Sequence, residues 1–356
     1  FIRTFQGSKH TSGVKSVDTE ALTGGEVFST LEDLIARSTA VNYDNPASRF
    51  VSEVYDLASE GYEGTGAFGE SLAALFDLAI TALYLERVPE GSWVYCEREQ
   101  VASLHYPFVN ACPRCTLAGD FNFVIARKPQ SGAIGKATSD ILTAFLDLRV
   151  KSVSPDYQVR VMSDNGLVDA ILVGPGLVSL FEIKSAPLLS FPLHQDSDAL
   201  TVLSADAEDR VAMAPHSLAT ARKDSETYLM VDESLRIPVG PLSGLAERSH
   251  YEVLVQWLSE ESNLRRYVES WIRTYNGYAD VDDRGLTHWL TNGCGSPRPR
   301  PTNWPRRRNG SGYETISDGK SSVGFDRTDD VKKGIYQVLK ISTHFKEFYP
   351  SGSRVV

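Results

Sequence analysis

The chain has 356 residues, of which 42% are hydrophobic and 23% charged, a balance typical of globular proteins that excludes disordered, collagen-like and coiled-coil chains. No uninterrupted apolar run approaches about 18 residues, so the sequence predicts that no segment crosses a membrane. The net charge is −10, but residues 1–90 carry 6 basic and 14 acidic side chains, whereas residues 285–313 hold five arginines and no acid.

Apolar periodicity predicts a mixture of helices and strands, which places the chain in the α/β or α+β class. We expect residues 1–30, rich in Gly, Ser and Thr, to form an arm or loop. Helices are predicted over residues 68–85, 139–150, 250–276 and 329–346, and strands over 93–95, 158–162, 167–173 and 177–184. Residues 186–248 give no clear period, and residues 292–313 are predicted to form a loop rich in Gly, Pro and Arg.

The two strands that follow residue 167 are predicted to form a hairpin. The run Gly174-Pro175-Gly176 is a turn signal between two apolar segments. A four-residue loop over 174–177 places Val173 opposite Val178, and this register places Asp169 opposite Glu182. Because side chains alternate along a strand, Glu182 shares a face with Lys184.

The predicted hairpin therefore ends in two carboxylates and one ammonium group within an otherwise apolar sequence. Two facing carboxylates repel each other unless a cation lies between them or one is protonated. Oxygen ligands suit Mg²⁺, so Asp169, Glu182 and the backbone carbonyl of Ile183 are the candidate magnesium ligands. Lys184 would orient a water or stabilise a pentavalent phosphate. The alternative is a solvated ion-pair face, which usually contributes less than about 1 kcal/mol.

Asp169, a spacer of 12 residues and Glu182-Ile183-Lys184 resemble the motif of the PD-(D/E)XK nuclease superfamily. The continuation to Leu188 is similar to the end of the catalytic strand in several type II restriction endonucleases, although Val168 replaces the usual Pro. The resemblance implies a mixed central sheet flanked by helices and Mg²⁺-dependent cleavage of double-stranded DNA, which leaves a 5′-phosphate and a 3′-hydroxyl. It further implies a homodimer acting at a palindrome in a prokaryotic cytoplasm, with a cognate methyltransferase in the same system that is not a physical partner.

The resemblance also suggests further site residues and a division of the chain. Members of the superfamily often carry a Glu on a helix before the first strand, for which Glu70, or less favourably Asp140, is the candidate. Gln337 would be the Gln of the core helix. The implied segments are an arm and helical region over 1–64, the first part of the core over 65–190, a DNA-recognition insertion over 191–325, and a core helix and tail over 326–356.

The cysteines form a candidate structural zinc site. Cys112 and Cys115 have the C-x2-C spacing of a zinc knuckle, and Cys96 and Cys294 would complete four thiolate ligands, with His105 as an alternative. The competing interpretation is that these are buried free cysteines. Four cysteines in a chain of this length argue against a secreted protein stabilised by disulfides. We therefore expect a reducing, intracellular compartment. Since the chain starts without an initiator Met or a signal peptide, we expect a segment to precede it.

Basic residues are the candidate contacts to the DNA backbone and grooves. The candidates are Arg127, Lys128, Arg298, Arg300, Arg306, Arg307, Arg308, Lys333 and Lys340, with Lys136 as a weaker candidate in a loop. The competing interpretation of this set is a mobile loop and a solvated helix face.

Three functions remain open from the sequence. The first is a Mg²⁺-dependent type II restriction endonuclease. The second is a DNA-binding protein that contains zinc and has no catalytic activity. The third is a nuclease of the same fold that acts in repair or transposition. The sequence contains no Walker A loop, no G-x-S-x-G motif and no His paired locally with a Ser or Cys motif, so other catalytic classes are not favoured.

Overall fold

The structure, a computed structural model, divides into two compact units, each assembled from separate stretches of the chain. The first unit comprises Phe1–Val41, Leu146–Ile183 and Asp329–Val356, and the second comprises Asn42–Phe145 and Lys184–Thr328. The structure describes residues 31–85, 92–96, 101–104, 110–111, 123–124, 131–162, 168–175, 177–183, 193–196, 200–203, 218–221, 224–231, 235–241, 249–279, 306–309, 312–315, 334–336 and 339.

The described elements mix helices with short antiparallel strands. The helices are α1 Leu31–Arg37, α2 Pro46–Tyr62, α3 Phe68–Leu85, α4 Ser131–Val153, α5 His250–Leu258 and α6 Glu261–Ala279. The strands are β1 Ser38–Ala40, β2 Ser92–Cys96, β3 Val101–Leu104, β4 Asn110–Ala111, β5 Phe123–Val124, β6 Gln158–Met162, β7 Ala170–Gly174, β8 Leu177–Phe181, β9 Leu193–Asp196, β10 Leu200–Leu203, β11 Leu218–Ala221, β12 Glu226–Met230, β13 Arg236–Pro241, β14 Arg306–Asn309 and β15 Gly312–Thr315.

The first unit is built on a four-stranded antiparallel sheet in the order β1-β6-β7-β8. Its apolar core contains Leu34 from α1 and three residues of the sheet region, Met162, Val168 and Ile171, all of them buried. Val173, Val178 and Leu180 pack against this cluster from the partly buried part of the sheet. Burial of these side chains is the main force that holds the hairpin on its sheet.

Two polar contacts join β6 to its neighbours in the first unit. Arg160 on β6 donates hydrogen bonds from Nε to the Ser38 hydroxyl at 2.7 Å and from Nη2 to the Ser38 carbonyl at 2.6 Å, so the guanidinium group holds β1. The fully buried Asp147 of α4 accepts a hydrogen bond from the Val159 N–H at 3.1 Å and contacts Lys151 at 2.6 Å. These contacts satisfy backbone groups that would otherwise be buried without partners.

Gly174, the last residue of β7, is the position where the hairpin requires a glycine. A Cβ atom added there would lie 2.1 Å from a ring carbon of Tyr157. The tyrosine ring therefore packs on the backbone of the turn in a space that only glycine leaves open.

The second unit contains a seven-stranded sheet in the order β10-β11-β2-β3-β9-β12-β13, in which every neighbouring pair is antiparallel. At its β13 edge the register shifts by a bulge at Thr227/Tyr228, and Gly240 has a φ of 76°, a left-handed value that suits glycine. A helical group in the same unit contains α2, α3, α5 and α6, and α5 contacts β13.

The helical group is joined by hydrogen bonds between residues far apart in sequence. The Tyr267 hydroxyl on α6 donates to the Ala74 carbonyl on α3 at 2.6 Å, and the Trp271 Nε1–H donates to the buried Asp77 carboxylate at 2.8 Å. Helix α5 begins with a capping box. The Ser249 hydroxyl accepts a hydrogen bond from the Glu252 N–H, and the Glu252 carboxylate accepts one from the Ser249 N–H.

The structure confirms the mixed helical and strand composition, with α3 at the predicted bounds, and corrects several details. The pairs among the described strands are antiparallel, whereas a mixed sheet was predicted. The predicted helix over 250–276 is two helices, because the Asn263 side chain caps the Trp257 carbonyl at 3.1 Å and the chain restarts at Glu261. Among the described residues, no helix is long and apolar enough to cross a membrane.

Candidate functional site

The structure confirms the predicted register of the β7–β8 hairpin. Val173 lies opposite Val178, and the last described pair joins Ala170 to Phe181. Gly174 also pairs with Leu177, so two residues connect the strands where the sequence predicted a loop of four. The residues immediately beyond the last pair are Asp169 on one strand and Glu182 on the other.

Asp169 is held by three hydrogen bonds that involve both neighbouring strands. Its N–H donates to the Phe181 carbonyl at 2.8 Å, and its carbonyl accepts from the Met162 N–H at 3.3 Å. Its carboxylate Oδ2 accepts a hydrogen bond from the Ile183 N–H at 2.5 Å. The side chain of Asp169 therefore continues the β7–β8 pairing where the backbone pairing has ended.

These contacts place Glu182 directly beside Asp169. Phe181 and Ile183, the two residues that flank Glu182, both hydrogen-bond to Asp169. Consecutive Cα atoms are about 3.8 Å apart, so the backbone of Glu182 cannot move away from Asp169 without breaking these bonds. Both acidic residues are partly buried, and Val168, next to Asp169, is buried in the core of the first unit.

The donor set of this end of the hairpin fits Mg²⁺. Two acidic residues at adjacent positions of the pairing supply hard, anionic oxygens, and the Ile183 N–H donates to the carboxylate of one of them, Asp169. A carboxylate that is held through one oxygen by a backbone N–H presents its other oxygen in a fixed direction, as metal-ligating carboxylates commonly do. We refer to Asp169, Glu182 and Ile183 as the acidic hairpin end.

Lys184, the third charged residue of the predicted motif, lies outside the described residues. Within those residues, no cluster of three or more His, Cys, Asp and Glu side chains occurs. The acidic hairpin end accordingly supplies two carboxylates and a peptide group as its described polar atoms.

The other described candidates implied by the resemblance, Glu70 and Asp140, both lie in the second unit. Glu70 lies in the first turn of α3, in the second unit, and is partly buried. The alternative, Asp140, is an exposed residue of α4 that lies 3.5 Å from Lys136 Nζ. Gln337 lies outside the described residues, which include only 334–336 and 339 of the predicted C-terminal helix, all helical.

The zinc site remains a prediction. Cys96 is the last residue of β2, while Cys112, Cys115, Cys294 and the alternative ligand His105 lie outside the described residues.

Three of the predicted basic contacts fall on a described element. Arg306, Arg307 and Arg308 lie on β14, which pairs with β15, so this part of 292–313 is a hairpin and the loop prediction was wrong there. Lys136, also predicted in a loop, lies in helix α4. The remaining candidates, Arg127, Lys128, Arg298, Arg300, Lys333 and Lys340, lie outside the described residues.

Sequence reasoning missed two features, and the sequence contains a signal for the first of them. The dipeptide Gly310-Ser311 between the two strands is a hairpin signal, and the arginine content of the segment obscured it. The contact of Tyr157 with Gly174 was also missed, because a glycine in a turn says nothing about the ring that packs on it.

Compared with known proteins, the chain matches no protein-family model, no curated protein and no solved structure. The candidate site therefore depends on the geometry of the acidic hairpin end and on the residue pattern around it.

Proposed function

We propose that this protein is a Mg²⁺-dependent endonuclease that hydrolyses phosphodiester bonds of double-stranded DNA at specific sequences, similar to type II restriction endonucleases of the PD-(D/E)XK superfamily. The observation that carries the proposal is the fixed position of Glu182 beside Asp169, at the end of an apolar hairpin. Two acidic residues on adjacent strands, both partly buried, with a Lys two residues beyond the second of them, match the needs of phosphodiester hydrolysis better than those of a solvated surface.

Each residue of the acidic hairpin end has a defined task in this proposal. Asp169 and Glu182 hold the dication through carboxylate oxygens, and the carbonyl of Ile183 adds a neutral oxygen. When bound, Mg²⁺ supplies Lewis-acid polarisation of a phosphoryl oxygen and lowers the pKa of a water molecule. The N–H of Ile183 keeps the Asp169 carboxylate oriented.

Lys184 supplies the positive charge that the two carboxylates lack. Attack on a phosphodiester places further negative charge on an already anionic phosphorus centre, so an ammonium group next to the scissile bond stabilises that charge. In the proposal Lys184 orients the attacking water or binds the non-bridging phosphate oxygen. Glu70 and Gln337 remain proposed auxiliary residues.

A plasmid digestion tests the proposal. The wild-type protein is incubated with plasmid DNA in Mg²⁺ and in EDTA, beside the variants Asp169→Asn and Glu182→Gln. We expect the wild-type protein to give discrete bands in Mg²⁺ and none in EDTA. In both variants the cleavage rate should fall by more than about a hundredfold. The control is Glu226→Gln, which removes an exposed carboxylate on β12 and should cut normally.

Three results would contradict the proposal. Normal cleavage by Asp169→Asn would show that the acidic hairpin end takes no part in the reaction. The absence of cleavage on any DNA, together with retained DNA binding, would instead favour the non-catalytic DNA-binding protein. Cleavage that depends on DNA structure and not on sequence would favour the repair or transposition nuclease.

A double-strand cut needs one active site for each strand, so the proposal includes a homodimer. Light scattering on the Asp169→Asn variant with a duplex in EDTA checks this part, and a mass of one chain per duplex would contradict it.

A further inference from the structure

Arg160 of β6 is a partly buried cation whose hydrogen-bond acceptors, among the described residues, are all uncharged. Its Nε and Nη2 donate to the hydroxyl and the carbonyl of Ser38, and its Nη1 donates to the side-chain oxygen of Gln158 at 3.2 Å. A charge that is partly removed from water is costly unless other groups compensate it. The three acceptors hold the guanidinium group in place, but none of them neutralises its positive charge.

The guanidinium group has donors left after these contacts. Arginine has five N–H groups, and Arg160 uses one on Nε, one on Nη1 and one on Nη2 within the described part of the chain. One N–H therefore remains on each of the two Nη atoms. Two such groups on one rigid plane can donate to two oxygens of a phosphate, which is the geometry in which arginine recognises this anion.

The strand next to Arg160 supplies no acid. Strand β1 consists of Ser38, Thr39 and Ala40, of which the last two are exposed, and Ala40 lies directly opposite Arg160. Arg37, which precedes this strand, differs from Arg160 because its guanidinium lies 3.9 Å from the Asp33 carboxylate. The charge of Arg160 is thus open to compensation by an anion from outside the chain.

The register places this guanidinium group on the same face of the sheet as the acidic hairpin end. Ser38 pairs with Met162, and the Met162 N–H donates to the Asp169 carbonyl, so the three residues lie in one row across the sheet. Glu182 continues this row on β8, and residues of one row share a face. The hydrogen bond to the Ser38 hydroxyl brings the Arg160 side chain to the β1 end of the row. Two strand spacings separate that end from Asp169, a distance of about 10 Å.

We propose that Arg160 binds a backbone phosphate of the DNA strand that the acidic hairpin end cleaves, on the β1 side of the scissile bond. One strand of B-form DNA carries a phosphate for about every 3.4 Å of helix axis, so a separation of about 10 Å corresponds to a phosphate roughly one to three nucleotides away. Such a contact fixes the position of the strand and reads no sequence. The inference rests on the proposed function, since it assigns substrate binding to the same face as the proposed chemistry.

A binding assay measures the contribution of this charge. Fluorescence anisotropy in EDTA gives the affinity of the full chain for a labelled mixed-sequence duplex, so the result does not depend on cleavage. Arg160→Gln should bind about tenfold more weakly, and the slope of log affinity against log salt should fall by about 0.9, the value for one phosphate. Arg37→Gln removes the same charge from a guanidinium that already has a carboxylate beside it, and it should keep the slope. Ser38→Ala removes a hydrogen bond of Arg160 but no charge, and it should also keep the slope.

A second set of variants supplies an anion from within the chain. Ala40 is exposed, and its Cβ lies about 5 Å from that of the residue opposite, Arg160. Ala40→Glu therefore places a carboxylate beside the guanidinium and should weaken binding about as much as Arg160→Gln does, whereas Ala40→Gln should bind like the wild type. Thr39→Glu adds the same charge on the opposite face and should change the affinity less. Because these variants replace exposed side chains, they decide the question if Arg160→Gln does not fold.

The outcomes separate this inference from the nuclease proposal. Plasmid cleavage by the wild-type protein, with unchanged affinity and slope in Arg160→Gln or equal binding by Ala40→Glu and Ala40→Gln, would overturn the inference and leave the nuclease proposal standing. A reduced slope in Arg160→Gln of a protein that cuts no DNA would support the phosphate contact and contradict the nuclease.

Two further results would overturn the phosphate contact. Equal losses of affinity in Arg160→Gln and Ser38→Ala, at an unchanged slope, would show that Arg160 only holds β1 in place. Thermal melts with millimolar inorganic phosphate at constant ionic strength form the other arm. A stabilisation by phosphate that Arg160→Gln abolishes, without any loss of affinity for the duplex, would assign the site to a small phosphate and not to DNA.

Discussion

The Asp169 carboxylate accepts a hydrogen bond from the backbone N–H of Ile183 at 2.5 Å, across the end of the β7–β8 hairpin. The side chain thus replaces a backbone acceptor at the point where the ladder ends, and it holds the second acidic residue of the site in place. A single carboxylate has both a structural and a proposed catalytic task, so substitutions there must be chosen to separate the two.

Magnesium should stabilise the folded protein through the acidic hairpin end. A ligand that binds only the folded state at a hundredfold excess over its Kd stabilises it by about 2.7 kcal/mol, since it shifts the unfolding equilibrium by mass action. Thermal melts in EDTA and in millimolar Mg²⁺ should therefore differ by a few degrees for the wild type. Asp169→Asn keeps an oxygen that can accept from Ile183 but loses the charge, and its melt should not respond to Mg²⁺. An equal Mg²⁺ response in both proteins would place the ion elsewhere.

Gly174→Ala should destabilise the first unit because the new methyl group would overlap the ring of Tyr157. Overpacking of this kind costs about 1–3 kcal/mol, which urea denaturation would measure. Tyr157→Ala removes the ring, so the double variant should be more stable than the sum of the two single effects predicts. Additive effects would show that the ring and the turn do not restrict each other.

Asp147→Ala should lower stability because the N–H of Val159, a fully buried residue of β6, would lose its acceptor. An unsatisfied buried backbone donor costs about 1–3 kcal/mol. The comparison is Lys151→Met. It removes the ion pair that the same carboxylate makes with a lysine whose side chain is 44% exposed, and it should cost less. Denaturant midpoints check the order, and a larger effect of Lys151→Met would contradict this account of Asp147.

Stability should fall at alkaline pH because of Tyr267. Burial, with a smaller contribution from the negative charge of Asp77, raises the pKa of Tyr267 well above its ordinary value of 10.0. The unfolded chain then releases this proton first, so the stabilisation is complete below about pH 10 and declines as the pH rises, by up to about 1.4 kcal/mol per pH unit.

In the variant Tyr267→Phe, the free energy of unfolding should lack the part of the alkaline decline that Tyr267 causes. At neutral pH the variant should be about 1 kcal/mol less stable, because it lacks the hydrogen bond to the Ala74 carbonyl. Tyr275→Phe, on the same helix and 39% exposed, is the control and should follow the wild type. Thermal melts between pH 7 and 11 measure the difference, and parallel curves for wild type and Tyr267→Phe would contradict the prediction.

The sequence predicted the β7–β8 hairpin and its register correctly because the information is local. Apolar runs on both sides of Gly174-Pro175-Gly176 leave one register that keeps the core residues together. The backbone of Asp169 follows from that register, but its hydrogen bond to Ile183 does not, because the ladder becomes irregular at its end. The sequence thus predicts which residues of the site meet and not how the carboxylate is held.

The seven-stranded sheet was beyond local reasoning. Strands β9 to β13 are four to six residues long and lie within a stretch that has no clear period. Their partners are far away in sequence: Val101 pairs with Asp196, and Trp93 pairs with Ala219. Such strands are specified by the neighbours they pack against, which a scan of short windows does not include.

The order of strands in the seven-stranded sheet determines how the chain can be divided. Strand β9 lies between β3 and β12. A fragment that stops before residue 193 therefore exposes the edge of β3 and lacks β9, through which β12 and β13 join the sheet. The first unit has a similar dependence, because its sheet takes β1 from one stretch of chain and the other three strands from another. Limited proteolysis should therefore yield nicked chains that remain associated, and neither unit should be obtainable as one uninterrupted piece of polypeptide.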